Sequence, residues 1–505
     1  MGRCTCPMSQ PRVYTLSNID FVLAGMLKLL FVRHKKPKLR HFMHELEQLF
    51  VRRHINMPPY KMRKIREEKH MVPCINLKAC NESEQLITTT RTTYRSFVSA
   101  QDESRKARKM PQTKIDSFMK YANFFYKCVG IEPYRKISRP AEYSAWLNIV
   151  YWANIINLLL IMLAEIVYVL IAFATGEHIV EAIMTMSYIG FVIVGIAKML
   201  VVWWKKSALS EFMHVLEQLY PSTVAEQQDY RLQRYQSFCA WVSIGFATLY
   251  SVLIWTYNLF GIMQYLLYER LLQTRVVDQT LPYFMYIPWE NYDNWSYYLL
   301  FFMQNFAGYT SAAGQISTDL LLCAVASQLI MHYDYLARQI EQKKLKGCWQ
   351  QNSEFLIHTV RYHERLLSLS ARINHIFGVP LLLNFLVSSF VICFVGFQMT
   401  VGVSLDTMIK LTLFLVSSMC QVYLICHYGQ LVEDASFGIS KAVYKQQWLD
   451  ADVRYKKSIA LIIKRAQKPA FLKATVFMQI NRGSMTDLLQ LSYKFFALLR
   501  TMYNK

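Results

Sequence analysis

Apolar residues run through this chain in long stretches divided by short charged segments, and no such stretch occurs before about residue 140. A helix needs about 20 consecutive apolar residues to cross ~30 Å of hydrocarbon. Seven stretches qualify: Trp146 to Ala174, Ile179 to Trp204, Phe238 to Leu267, Tyr297 to Met331, Ile376 to Val403, Met408 to Tyr428, and a weaker last one from Phe471 to Tyr503. The pattern predicts an all-α membrane protein with seven transmembrane helices. Two further blocks, Tyr333 to Arg372 and Glu433 to Pro469, alternate charged and apolar residues at helical spacing. They are expected to extend spans four, five and six beyond the bilayer.

Charge orients the spans. Lys and Arg crowd the N-terminal region and three later segments, around Lys205 to Arg234, Arg338 to Arg365 and Lys441 to Arg465. The intervening loops, "TGEHIVE", "YERLLQTRVVDQTLPYFMYIPWENYDNWS" and "GVSLD", carry few. Positive charge stays on the cytoplasmic side, so the N-terminus is expected inside and, after seven spans, the C-terminus outside. The sequon Asn294-Trp295-Ser296 falls in an expected external loop and is a candidate glycosylation site, whereas Asn81-Glu82-Ser83 falls inside.

Composition agrees with a bilayer as solvent. Of 505 residues, 53% are hydrophobic and only 18% charged, too apolar for an ordinary soluble chain of this size. The net charge of +22 points to a nucleic acid or to anionic lipid. The apolar runs leave no polar face for a nucleic acid, so membrane lipid is the expected partner. The 11 Cys lie mostly singly within apolar runs and show no metal or disulfide spacing. "MGRCTCPMSQ" lacks a signal-peptide h-region and, with Cys at position 6, departs from the myristoylation pattern. No HExxH, GxSxG, Walker or metal-type CxxC motif occurs, so neither an enzyme nor a cofactor is expected. The topology is the inverse of a G-protein-coupled receptor, and span three ends in Tyr268-Glu269-Arg270 rather than an acid-Arg-aromatic triplet. The two similar halves of a transporter are not seen. For the lone intramembrane polar groups Glu165, Asp319 and Asn384, the plainer reading is a satisfied interhelical hydrogen bond, although ionisable groups at such depth lean functional.

One phrase occurs twice, "FMHELEQLF" from Phe42 and "FMHVLEQLY" from Phe212, inside 30-residue segments matching at about half their positions. A repeat architecture needs several copies at a short period. A single partial copy, with Arg33, His34 and Lys38 where the second has Trp203, Trp204 and Ala208, reads as a fragment joined to the front. The expected organisation is therefore an N-terminal extension over 1–109, spans one to four with the external loop over 110–332, anchor helices over 333–375, spans five and six over 376–428, further anchor helices over 429–470, and the last helix over 471–505.

The final eighty residues carry "CHYGQLVEDAS" from Cys426, "YKQQW" ending at Trp448, "AQKP" from Ala466 and "SYKFFALLRTMYNK" from Ser492. Together with "FFYKCVGIEPY" from Phe124 and "LPYFMYIPWE" from Leu281, their order and spacing resemble the insect odorant receptors, over about residues 110 to 505. The resemblance is to an odorant-tuning subunit rather than the shared co-receptor, whose long cytoplasmic insertion is missing. It implies an odorant-binding subunit of a tetrameric, odorant-gated, non-selective cation channel, partnered by the co-receptor in the plasma membrane of olfactory neuron dendrites. A metabotropic receptor or transporter of similar topology is the alternative.

The resemblance also implies that the last helix lines the pore. Aligning "KFFALLRTMY" with the co-receptor's end puts Leu498 and Met502 at the hydrophobic gate, and Leu491, Lys494 and Asp487 fall within about 40° of the same stripe. The ligand is expected to be a small volatile, aromatic because ring-lined walls favour stacking. It wants a cavity in the outer half of the bundle with few polar groups. Candidates are Tyr188, Trp255, Tyr257, Phe306, Tyr309 and Thr310, with Phe284, Tyr286 and Trp289 of the external loop as a lid.

Overall fold

In the computed structural model, three helices greatly exceed the length a bilayer requires. The structure describes residues 112–134, 145–273, 276, 281–289, 295–345, 349–401 and 404–503. Its helices are α1 (Asp116–Val129), α2 (Ala145–Thr175), α3 (Ile179–Trp204), α4 (Lys206–Leu219), α5 (Val224–Asp229), α6 (Leu232–Asn258) and α7 (Phe260–Gln264), continued by a π-helical segment Tyr265–Leu271. There follow α8 (Trp295–Gln342), α9 (Trp349–Val401), α10 (Leu405–Lys445), α11 (Val453–Ala466), the strands β1 (Leu472–Ala474) and β2 (Met478–Ile480), and α12 (Arg482–Tyr503). At 1.5 Å per residue, α8, α9 and α10, with 48, 53 and 41 residues, measure about 72, 80 and 62 Å. Each outruns the hydrocarbon, and the surplus is the charged-apolar block seen in the sequence. There α11 packs against the ends of α9 and α10 through Tyr455, Ile459 and Ile462.

Among the described residues, six helices (α2, α3, α6, α8, α9 and α10) are long and apolar enough to cross a membrane. The most buried, α8, contacts α1, α2, α3, α6, α9 and α10 and forms the axis of the bundle. Amphipathic α1 lays Phe118, Met119, Ala122 and Tyr126 inward, and the Tyr126 hydroxyl donates to Thr318 Oγ1 of α8 at 3.0 Å. Gly130 caps α1 at φ 86°, and a Cβ there would lie 2.5 Å from the Leu147 carbonyl oxygen of α2, so only glycine permits this approach. The second copy of the doubled phrase is α4, whose Leu209, Phe212, Met213 and Leu216 are buried. The first copy, with the whole of the 1–109 extension, lies outside the described residues.

The last apolar stretch differs from expectation. Residues 472–480 form an antiparallel hairpin, not the start of a span. Leu472, Ala474 and Ile480 are fully buried while Lys473 is exposed, the two-residue alternation of a strand. Asn374 of α9 accepts from the Lys473 N–H at 2.8 Å and donates to the Phe471 carbonyl at 2.8 Å, replacing a strand partner. Asn481 then caps α12 by accepting from the Ser484 N–H at 3.1 Å. Of α12, Ser484, Leu488 and Ser492 are buried, and Ser492 meets Ser389 of α9 at 3.2 Å.

Candidate functional site

Five of the long helices converge on a cavity between α2, α3, α6, α8 and α10, closed by the segment around Tyr283. The non-atom space between its walls, opening included, is about 580 Å³. Its walls are Ile161 and Glu165 of α2, Tyr188, Phe191 and Val192 of α3, Tyr250, Leu253, Ile254 and Tyr257 of α6, Tyr283 of the segment before α8, Ala307 and Gly308 of α8, and Leu413, Phe414 and Ser417 of α10. The rings hold one another in place. Tyr188 makes edge contacts with Tyr257, Tyr283 and Phe414, at centroid separations of 5.6, 5.2 and 5.7 Å, and Tyr257 stacks on Tyr283 at 5.8 Å.

Hydrogen bonds lock this wall. Tyr257 donates its hydroxyl to that of Tyr188. Tyr283 donates to Asn258 Oδ1 at 2.5 Å, and its backbone is clamped by Gln304, which accepts from its N–H at 3.2 Å and donates to its carbonyl at 3.0 Å. Gly308 makes room for this clamp, since a Cβ there would lie 2.7 Å from Asn258 Nδ2 and 2.8 Å from the Tyr283 hydroxyl.

Of the six pocket residues expected from sequence, Tyr188 and Tyr257 line the cavity. Trp255 and Phe306 do not; they are 58% and 41% exposed on the outer surface of the bundle. Tyr309 packs its ring against Trp255 at 5.7 Å, and buried Thr310 donates to Asn154 Oδ1 at 3.2 Å, tying α8 to α2. In the external segment, Phe284 stacks on Tyr168 at 6.0 Å, the Tyr286 N–H donates to the Ala164 carbonyl at 3.1 Å, and Trp289 is exposed. The residue that enters the cavity is their neighbour Tyr283. Sequence reasoning also passed over Phe191, Tyr250 and Phe414. For the first two a signal existed, since each is an aromatic at helical spacing from an expected pocket residue, Phe191 from Tyr188 and Tyr250 from Tyr257. Phe414 had no such neighbour.

Two of the lone polar groups are not satisfied as the plainer reading requires. Glu165 Oε2 and Asn384 Nδ2 are buried with no hydrogen-bond partner. Asp319, in contrast, meets Lys198 of α3 with Oδ1 and Oδ2 at 2.7 and 2.9 Å and accepts from Gln421 of α10 at 2.7 Å. Through Gln421 this buried pair adjoins a smaller hollow, lined by Gln315, Asn384 and Gln421, that shares Phe191, Tyr250, Phe414 and Ser417 with the first.

On α12, Asp487, Leu491, Lys494 and Leu498 are all exposed along one stripe, which runs beside the buried Ser484, Leu488 and Ser492. Met502 belongs to the helix, but its side chain lies outside the described residues, as does Asn294. Among the described residues, no group of His, Cys, Asp and Glu is placed to hold a metal ion.

These features define a multi-pass helical membrane protein with an aromatic-walled cavity inside its bundle. The model of the 7tm odorant receptor family matches residues 178–493. Odorant receptor 85c of Drosophila melanogaster is 60% identical over 388 residues, which are 77% of this chain and all of the relative. Odorant receptor 85b of the same organism is 57% identical over 391 residues, again 77% of this chain and all of the relative. The chain belongs to the 7tm odorant receptor family. The solved insect olfactory receptor of Machilis hrabei shares the fold at a TM-score of 0.64 and 14% identity, over 75% of this chain and 97% of that one. Its complex with eugenol aligns at a TM-score of 0.65 over 77% and 98%.

Proposed function

We propose that the chain is the odorant-binding subunit of an odorant-gated cation channel, and that the cavity walled by Tyr188, Tyr257 and Tyr283 is where the odorant sits. It is a receptor, not an enzyme, and the metabotropic and transporter alternatives are not favoured. The observation that carries the reading is a ring-lined, partly open space in the bundle of an odorant receptor family member. Cavities of this kind bury small apolar ligands by stacking and apolar contact. The tuning role is supported by 60% and 57% identity to individually numbered odorant receptors.

The subunit works in a heterotetramer with the co-receptor in the dendritic plasma membrane, with an internal N-terminus. α12 is the seventh span and faces the pore. Its 22 residues measure about 33 Å, enough to cross. Its charged stripe suits a water-filled passage better than lipid. Leu498 and Met502 form the gate, and Phe284, Tyr286 and Trp289 cover the cavity's outer end. Residues 1–109 are an appended segment, a reading supported by relatives that are matched in full over only 77% of this chain. Deleting them is expected to leave surface expression and odorant response intact, and loss of assembly would refute this.

The test of the site is replacement of Tyr188 by Ala in cells expressing this chain with the co-receptor. Odorant potency should fall while currents evoked by a co-receptor agonist persist. Equal loss of both would mean that Tyr188 holds the bundle together and does not contact ligand.

A further inference from the structure

Glu165 is the only charged residue among the 31 of α2, and it is 1% exposed in a wall whose other residues, Gly308 and Ser417 apart, are aliphatic or aromatic. Its Oε2 has no hydrogen-bond partner. Among the described residues, no Lys, Arg or His lines the cavity with it. Lys410 holds its ammonium over the rings of Tyr257, a wall residue, and of Phe260 outside the wall, 6.0 and 5.0 Å from their centroids, and Lys198 is committed to Asp319. A buried polar group left without a partner is costly, and native proteins seldom keep one without a use.

The other polar groups of the wall narrow what that use is. The hydroxyls of Tyr257 and Tyr283 spend their hydrogens on Tyr188 and Asn258. Tyr188 accepts from Tyr257, which leaves its own O–H free to turn toward the cavity. Ser417 donates its hydroxyl to the Phe414 carbonyl at 2.8 Å, whereas the Tyr250 hydroxyl makes no hydrogen bond among the described residues, so the cavity offers an unpartnered carboxyl and two hydroxyl donors, those of Tyr188 and Tyr250, set in apolar walls.

We propose that Glu165 is a specificity-determining residue of the odorant pocket, engaging, together with Tyr188, the single oxygen function of a neutral and otherwise apolar volatile. A hydroxyl or carbonyl oxygen accepts from Tyr188, and the Glu165 carboxyl completes the pair. Alcohols and ketones share this chemistry, while alkanes lack it. The inference rests on the cavity being the odorant site.

The test uses the full chain with its co-receptor, and n-alkanols, methyl ketones and n-alkanes of graded length from butyl to octyl as probes. Variants are compared at matched co-receptor-agonist current. Wild type should respond to at least one oxygenated series at concentrations where the alkanes are silent. Glu165→Leu should raise the half-maximal concentration of the oxygenated probes about tenfold or more, the loss expected when one buried hydrogen bond goes. Glu165→Gln, which keeps both an acceptor and a donor, should stay close to wild type. A greater loss for alkanols than for ketones would show the carboxyl accepting, and the converse would show it donating. Unchanged potencies in Glu165→Leu, failure of every oxygenated probe on wild type, or stronger activation by n-alkylamines would overturn the proposal. Tyr257→Ala separates the two claims: if it shifts potency while Glu165→Leu does not, only this inference fails, and if neither does, the pocket reading fails.

Discussion

Removing one partner of the Lys198–Asp319 pair should damage the protein far more than removing both. The two side chains are 1% and 2% exposed, joined by contacts of 2.7 and 2.9 Å that tie α3 to α8, and Gln421 adds α10 through a third at 2.7 Å. Asp319→Asn keeps an acceptor for Gln421 but strands the ammonium of Lys198, and Lys198→Met strands the carboxylate. Uncompensated charge at a buried pair costs about 3–5 kcal/mol. In the double variant no charge remains. Gln421 keeps its bond to Gln315 Oε1 at 3.1 Å, and the amide oxygen introduced by Asp319→Asn still accepts from it. The cost should fall to about 1–2 kcal/mol, the scale of a rearranged neutral hydrogen bond. The cycle therefore predicts a coupling of several kcal/mol between the positions. The assay is the temperature at which detergent-solubilised receptor loses its monodisperse peak on size-exclusion chromatography. The singles should fall well below wild type and the double should recover most of the loss. A double variant as impaired as the two singles combined would refute a charge-compensation role.

Gly308→Ala should lower odorant potency about tenfold at normal surface level, because its methyl would meet Asn258 Nδ2 and the Tyr283 hydroxyl at 2.7 and 2.8 Å; unchanged potency would move the ligand elsewhere. Trp255→Ala and Phe306→Ala, on the outer surface, should leave potency within about twofold of wild type, whereas Tyr257→Ala should not. Dose-response recordings decide this, and equal effects would count against the cavity. If α12 faces the pore as proposed, Lys494→Gln should raise the conductance or calcium permeability of the mixed channel, since a cationic side chain there would repel permeating cations. Permeation unaltered by that change would place Lys494 in the groove between helices.

Periodicity made the transmembrane helices legible where one element does one thing. Ile179 to Trp204 reads as a span and is helix α3 over the same residues. The pattern was least informative where it continues across a change of structure. Phe238 to Leu267 reads as one span, but α6 starts at Leu232 and ends at Asn258, and a short helix and a π-helical segment follow. The break falls at Leu259, directly after Asn258, whose side chain accepts from the Tyr283 hydroxyl. Phe471 to Ile480 is apolar enough to resemble membrane, yet its alternation is that of a hairpin packed on α9 and α10. The cavity was half legible for a related reason. Composition marks aromatics, but the face each presents depends on the register of helices far apart in sequence. Tyr257 is buried in the cavity wall, while Trp255, one turn-face away on the same helix, is exposed. Lys198 and Asp319 are 121 residues apart, and nothing local in either helix announces the pair.

The central claim, that this chain turns odorant binding into cation flow directly, is tested most directly by excised-patch recording. Patches from cells expressing this chain with the co-receptor should carry odorant-evoked cation current in the absence of GTP and cytosolic factors, and Tyr188→Ala should shift its dose dependence. Absence of current from patches in which the chain is present at the surface, or current that requires GTP, would contradict the account.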